Sequence, residues 1–360
     1  MRILDVRGRT LPSGSAALAI TTDANLTGYA FSIRGSGEGA PSRERFVSRL
    51  LGAKPQGLLD ESGLLNPASC VRLAMPDEKP AGGEPPGAIG LIEAAAWDLR
   101  AKMQGVPLWR SIADYFQVAG AVAQIEVYAS CAPLRTDDVL TFEVGKAIDA
   151  GYRCVKIKVG GEIDDDLRRL ERAAAALDPA ARWAADLNGG LAPAMAEKWF
   201  DAIEPFKLAW IEEPAPALDF ELLKRYAGLS PTAVATGENL FSLDDARNLL
   251  RSGGLRPERD LLQFDPLLSY GLVEYSQIIQ LFESAGWRRE SFLPHAGHLF
   301  AAHCVAGLRL GMAEAVPDTS LPHGGYWDGV RVAGGKLTIP ELPGVGYEAK
   351  SNLHRLLQAL

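Results

Sequence analysis

Three acids frame this chain. Asp186 closes the apolar run Trp183-Ala184-Ala185, Glu212 closes Trp210-Ile211, and Glu238 follows Ala235-Thr236-Gly237. Twenty-six residues separate Asp186 from Glu212, and the same number separates Glu212 from Glu238. One strand, one helix and their loops fill about such a step, so the spacing predicts three carboxylates at one height on neighbouring parallel strands. The surrounding sequence keeps the same rhythm. Strand-like runs lie at 124–129, 153–159, 182–185, 208–211, 233–236, 261–264 and 291–293. Helix-like runs at 138–150, 165–177, 193–203, 220–226, 243–251 and 272–285 separate them. This alternation implies right-handed βαβ units and a parallel sheet, an α/β fold. Seven or eight units over 121–322 suggest closure into a (β/α) barrel. A doubly wound open sheet is the alternative, but no Gly-x-Gly-x-x-Gly follows the early strands.

Before about residue 120 the pattern differs. Residues 16–22 and 27–33 read as strands joined by a turn at Asp23-Ala24-Asn25, 78–87 as a loop, and 88–103 as a helix. This is an α+β segment. With 360 residues, 47% hydrophobic and 23% charged, the chain can bury a large core. A net charge of −8 argues against binding a nucleic-acid backbone, which needs clustered Lys and Arg. No apolar run reaches the length of a membrane span, and the first residues carry no signal-peptide pattern. A soluble, cytoplasmic protein is expected. Cys70, Cys131, Cys154 and Cys304 form no C-x-x-C pair, which fits reduced structural thiols.

The chemistry of a barrel sits at the C-terminal ends of its strands. One acid there could simply cap the helix that follows. Three together repel unless a cation lies among them, and hard oxygen ligands suit Mg²⁺. The second strand, Val155-Lys156-Ile157-Lys158-Val159, alternates apolar residues with lysines. Both lysines therefore face the barrel interior, Lys156 deeper and Lys158 nearer the mouth. Burial and mutual repulsion are expected to lower their pKa values, as a lysine base requires. Asp265 ends the sixth strand and His295 the seventh, so a carboxylate can hold an imidazole in a proton-transferring role. His298 is the rival histidine. Glu314 ends the eighth strand as a further polar group.

These residues resemble the enolase superfamily, in its mandelate racemase subgroup, and the resemblance runs through nearly the whole chain. Lysine or histidine bases working with Mg²⁺ are a general property of that superfamily, so this pairing comes with the resemblance and not from spacing. Within the subgroup the chain is most similar to the D-tartrate dehydratases, through Gly237-Glu238-Asn239-Leu240-Phe241-Ser242, Leu262-Gln263-Phe264-Asp265, Leu268-Ser269-Tyr270-Gly271-Leu272 and Trp327-Asp328-Gly329-Val330-Arg331-Val332. In the N-terminal part Arg43-Glu44-Arg45-Phe46 and Glu78-Lys79-Pro80 are also similar. The resemblance implies a modified TIM barrel, (β/α)7β, over 121–322. It implies an α+β capping domain formed by 1–120 and completed by 323–360. It implies Asp186, Glu212 and Glu238 as metal ligands, Lys158 as base, Lys156 as its cationic neighbour, and Asp265 with His295 as the facing pair. Lys79 falls where those enzymes carry a substrate-contacting lysine, and Arg34 near a substrate-contacting asparagine. The chain departs from them in its short loop at 11–15 and its altered loop at 81–86.

The expected function is Mg²⁺-dependent dehydration of an acid sugar or hydroxy-diacid, D-tartrate-like, with a 2-keto acid as product. The partner is then a small carboxylate, contacted by Lys79, Arg34, Glu314 and His298, and a homo-oligomer is implied by resemblance alone. A racemase or epimerase could use the same site, and a non-catalytic binding barrel is the reading from another class.

Overall fold

The computed structural model describes residues 1–11, 14–34, 41–80, 86–131 and 137–360. Parts of the loops at 11–15 and 78–87 (Pro12, Ser13 and residues 81–85) therefore lie outside the described residues. Strands β1 (Ile3–Thr10), β2 (Ala16–Thr22) and β3 (Thr27–Ser32) form an antiparallel sheet in that order. Helices α1 (Pro41–Leu51), α2 (Pro55–Leu58), α3 (Pro67–Ala74), α4 (Pro86–Gln104) and α5 (Leu108–Tyr115) follow. Asn66 caps α3 by accepting the Ser69 N–H, and Pro67 occupies the first turn, where no amide partner is lost. From Gly87 to Ala101 every residue of α4 is buried, so this helix is an axle between the sheet and the barrel. Sequence patterning anticipates β2, β3 and α4. It misses β1, an edge strand whose Arg7 and Arg9 point to solvent.

The barrel alternates β4 (Gln124–Ser130), α6 (Asp137–Asp149), β5 (Cys154–Lys158), α7 (Ile163–Ala176), β6 (Arg182–Asp186), α8 (Ala196–Ile203), β7 (Ile211–Glu212), α9 (Phe220–Leu229), β8 (Val234–Thr236), α10 (Leu243–Ser252), β9 (Leu261–Leu262), α11 (Leu272–Ser284), α12 (Leu299–Leu308) and β10 (Met312–Ala315). The sheet order is β10-β4-β5-β6-β7-β8-β9, with every neighbouring pair parallel. The strand expected at 291–293 is not one. A 3-10 turn at Arg289–Ser291 precedes Phe292, and Pro294, with no N–H to donate, follows it closely. A single parallel bridge, Leu262 to Phe292, remains. The Leu293 N–H donates to the Leu262 carbonyl at 2.8 Å and the Gly311 N–H to that of Phe292 at 2.9 Å, so this segment links β9 towards β10.

The C-terminal stretch divides its contacts. Strand β11 (Lys336–Thr338) pairs antiparallel with β4, on the barrel. The chain then turns to α4, where the Val345 N–H donates to Asp98 at 2.7 Å and Lys102 meets Glu348 at 2.6 Å. Helix α13 (Ser351–Gln358) packs near β2, with His354 edge-on to Tyr29. Apolar residues form two cores. The larger runs from the N-terminal sheet and its helices, through α4, to the layer between the barrel strands and their helices. The smaller consists of Tyr128, Cys154, Ala184, Trp210, Ala235, Leu293 and Met312. These come from successive strand segments around the ring and form an inner floor, with the Tyr128 and Trp210 rings edge to face at 5.2 Å.

Candidate active site

Strand side chains repeat their direction every two residues, so the residue two beyond each floor position stands one layer higher, on the same face. Two beyond Cys154 is Lys156. Two beyond Ala184 is Asp186, beyond Trp210 Glu212, beyond Leu293 His295, and beyond Met312 Glu314. One apolar layer thus carries one charged layer. The register agrees: Lys158 pairs with Asp186 across β5 and β6, and Asp186 with Glu212 across β6 and β7. On β5 the odd residues Val155 and Ile157 face outward into the larger core, which turns both lysines inward.

Asp186, Glu212 and Glu238 are buried, and each offers a carboxylate oxygen within 4.8 Å of the others. Glu213 and Glu314 lie beside them, also buried. Three cations meet the group. Lys156 reaches Glu212 at 2.5 Å, Glu314 at 3.1 Å and Asp186 at 3.3 Å. Lys158 bonds Asp186 and donates to Asn188 Oδ1 at 2.7 Å. Arg34, from the end of β3, bonds Glu238 at 2.5 Å and Asn239 Oδ1 at 2.9 Å. Burial and the neighbouring Asp186 drive the Glu212 pKa well up, whereas Lys156 and Lys158 overcome burial at Asp186 and hold it at about 2. The oxygen donors and their proximity make the trio suited to Mg²⁺.

Lys156 corrects one sequence expectation. Burial alone would push its ammonium down, but Glu212, Glu314 and Asp186 outweigh it and hold the pKa well above the ordinary value. Charge at a lysine's contact atoms decides the sign, and the sequence spacing could not place these acids around this one. Lys156 is thus a fixed cation, while Lys158 keeps 24% of its side chain exposed at the mouth.

On the far side His295 Nδ1 lies 3.4 Å from Asp265 Oδ2, and its Nε2 lies 3.6 Å from Glu238 Oε2. Burial disfavours the charged ring, but the Asp265 hydrogen bond, then Glu238 and Glu314, raise the His295 pKa. Asp265 itself is held well below the ordinary carboxylate range against burial, by His295 and His298. Its backbone fixes it too: Oδ1 accepts the Leu267 N–H at 2.8 Å. His298 accepts the Ala301 N–H through Nδ1 at 3.0 Å, capping α12, which leaves Nε2 as the donor toward Asp265 at 3.4 Å. Both nitrogens of His298 are used inside the protein.

Glu314 is likewise engaged, with Lys156 and with the Ala296 N–H at 2.9 Å. Lys79 is exposed just before the undescribed 81–85, and no bond joins it to the site among the described residues. Sequence reasoning missed Asn188, Asn239, Gln263 and Glu213. Gln263 donates to Glu212 Oε2 at 2.6 Å, and Asn239 donates to both Glu213 oxygens at 2.9 Å. The signal for Asn188 was available, since it stands two residues beyond Asp186 and repeats its direction. A cavity of about 480 Å³ opens beside Lys158, walled by Ser130, Cys131, Phe142, Leu321 and His323. One of similar size, about 490 Å³, lies at the opposite barrel end beside Gln124 and Arg182, where barrel chemistry is not sited.

The profile of the Enolase C-terminal domain-like family matches residues 140–353. The o-succinylbenzoate synthase of Geobacillus kaustophilus is 30% identical over 266 residues, spanning 71% of this chain. The match spans 66% of that relative's length. An L-talarate dehydratase structure from Polaromonas sp. JS666, complexed with Mg and L-glucarate, superimposes with a TM-score of 0.74 at 25% identity, over 92% of this chain and 85% of that one. A racemase structure from Streptomyces coelicolor A3(2), with bound magnesium, shares the fold with a TM-score of 0.78 at 24% identity, over 98% of this chain and 99% of that one. No helix among the described residues is long and apolar enough to cross a membrane. With its profile match covering more than half the chain and the acidic trio at its barrel mouth, this protein belongs to the enolase superfamily.

Proposed function

We propose that this chain is a Mg²⁺-dependent dehydratase of an acid sugar or hydroxy-diacid of the D-tartrate type. The observation that carries the reading is the placement of two proton carriers on opposite edges of the acidic trio. Lys158 contacts Asp186 at one edge, and His295 approaches Glu238 at the other. Held by Asp186, Glu212 and Glu238, Mg²⁺ would supply Lewis-acid stabilisation of the charge that develops on the substrate carboxylate. Lys158 takes the proton from the carbon next to that carboxylate, its amine aimed by Asp186 and Asn188. Lys156, charged and buried, presents a fixed positive potential below the reacting carbon. His295, kept protonated by Asp265, gives its proton to the departing β-hydroxyl, which leaves as water. The enol that remains takes a proton at the β-carbon, gives up its hydroxyl proton and becomes the 2-keto acid. We assign to Arg34, a third of whose side chain is exposed beside Glu238, the contact with a distal carboxylate, and the cavity beside Lys158 has the capacity of an ordinary small-ligand site.

The same two-sided placement supports a second reading, racemisation or epimerisation, in which Lys158 and His295 exchange the α-proton across the carbon with no elimination. A panel of hydroxy-diacids and acid sugars with Mg²⁺, scored for keto acid and for inverted product, decides between them. Binding of a panel acid with neither product would instead support a non-catalytic barrel. Lys158→Ala should abolish α-proton exchange in deuterated water while the protein still binds Mg²⁺. Persistence of exchange would sink the assignment of the base.

A further inference from the structure

Helix α4 buries two carboxylates that the proposed chemistry does not use: Asp98, which pairs with Lys102, and Glu93. Glu93 is 1% exposed. Its Oε1 accepts the Trp97 indole N–H at 2.7 Å and the Val273 backbone N–H at 3.0 Å, and the Leu272 N–H also bonds it. Burial pushes this carboxyl up to about 7 despite those bonds, so the fold keeps an ionisable group where a neutral one would be easier to hold. Val273 and Leu272 open α11, and the loop just before them, 265–271, begins with Asp265.

Two further contacts lock that loop to the same helix. Gly90, one turn before Glu93, lies against Leu267, and a Cβ at position 90 would overlap the Leu267 carbonyl. Gly271 has φ +108°, and a Cβ there would overlap the Glu93 carboxylate. The loop is short and tightly wound, with the Leu268 and Ser269 N–H groups both donating to the Asp265 carbonyl at 3.0 and 2.8 Å. A shift at its far end is therefore transmitted to Asp265, and through Asp265 to His295.

We infer that Glu93 is a positioning residue, which sets the Asp265–His295 pair from outside the barrel by anchoring the loop between β9 and α11. The inference rests on Asp265 and His295 forming the second proton carrier. It differs from a general structural role in a measurable way. Lys158 stands on β5 and the acidic trio on β6, β7 and the end of β8, none of them on the clamped loop. Loosening the loop should damage the His295 half of the reaction and spare the Lys158 half.

The test is Glu93→Gln in the full chain with Mg²⁺ and D-tartrate. Gln keeps the shape but gives an amide N–H where a carboxylate oxygen faced donors. Keto-acid formation, or inversion if that is the product, should fall by about 10²-fold, as expected for a catalytic group displaced by about 1 Å. KM and the rate of α-proton exchange in deuterated water should stay within about twofold. Equal losses of exchange and product would overturn the inference, as would no loss of either. Where Glu93→Gln does not fold, Trp97→Phe, which removes one donor, should show the same split at smaller amplitude. If wild-type protein shows neither exchange nor product with D-tartrate, the proposed substrate has failed, and a substrate-free measurement decides the inference. Amide hydrogen exchange at 267–273 should then rise at least tenfold in the variant while 184–213 keeps its protection, and unchanged protection at 267–273 would refute the clamp.

Discussion

Replacing Asp265 with Asn isolates one charge at almost constant shape. Asn Oδ1 can still accept the Leu267 N–H, so the loop keeps that tie. What disappears is a negative charge 3.4 Å from His295 Nδ1 and 3.4 Å from His298 Nε2. At that separation one charge pair is worth about 1 kcal/mol in water and about 5 kcal/mol at the effective dielectric of a protein site. Asp265 is fully buried, so the larger figure is the nearer one, reduced by the Glu238 and Glu314 charges that remain. At about 1.4 kcal/mol per pKa unit, His295 should drop by roughly 1–3 units. The sign follows from the raised native pKa. The imidazolium is present below that value and disappears as pH rises through it, and so does the stability it contributes, which is complete below about pH 6.5. In Asp265→Asn the alkaline limb of the activity profile should therefore move to lower pH. At pH 7.5 keto-acid formation should fall by about 10²–10³-fold, the usual scale for a lost general acid. Proton exchange at the α-carbon, which the proposed function assigns to Lys158, should change little. Nitrogen-15 histidine spectra give the pKa, and a coupled keto-acid assay with mass-detected exchange gives the two rates. An unchanged His295 pKa, or exchange and dehydration falling in step, would refute the reasoning.

Other substitutions test other parts of the site. Adding Mg²⁺ at a hundredfold its dissociation constant should stabilise the fold by about 2.7 kcal/mol, read as a rise in Tm that EDTA reverses; Glu212→Gln should lose most of that rise. Lys156→Met leaves its buried carboxylates short of a cation, so unfolding in urea without metal should show a loss of about 3–5 kcal/mol, partly restored by Mg²⁺. Arg34→Gln should raise KM for a diacid by about tenfold and leave KM for the matching monoacid within about twofold; equal effects on both would remove Arg34 from distal-carboxylate recognition.

The sequence carried the charged layer better than it carried the ring that holds it. Asp186, Glu212 and Glu238 could be found because each ends an apolar run at a fixed step, and the step reflects a repeated unit of structure. Lys156 and Lys158 were legible from strand alternation alone. The seventh strand was not, because an apolar triplet before Pro294 looks the same whether it forms a ladder or one bridge. The Lys156 pKa had the wrong sign because the sequence gives its nearest cation, Lys158, by adjacency but gives its anions only through the closed barrel. Arg34 was visible only through resemblance, and its bond to Glu238 crosses 204 residues of sequence. Glu93 gave no signal at all. An acid in an Ala-rich helix reads as a solvated position until the loop it holds is seen.

The inner floor of Tyr128, Trp210 and their neighbours has a consequence for traffic. With the ring plugged from below by buried side chains, the reaction chamber is a cup with one lip. In the proposed reaction, substrate, expelled water and the proton taken by Lys158 would all cross that lip. The fraction of α-carbon label that reaches product instead of solvent would therefore report how far Lys158, 24% exposed at that lip, exchanges with water during a turnover.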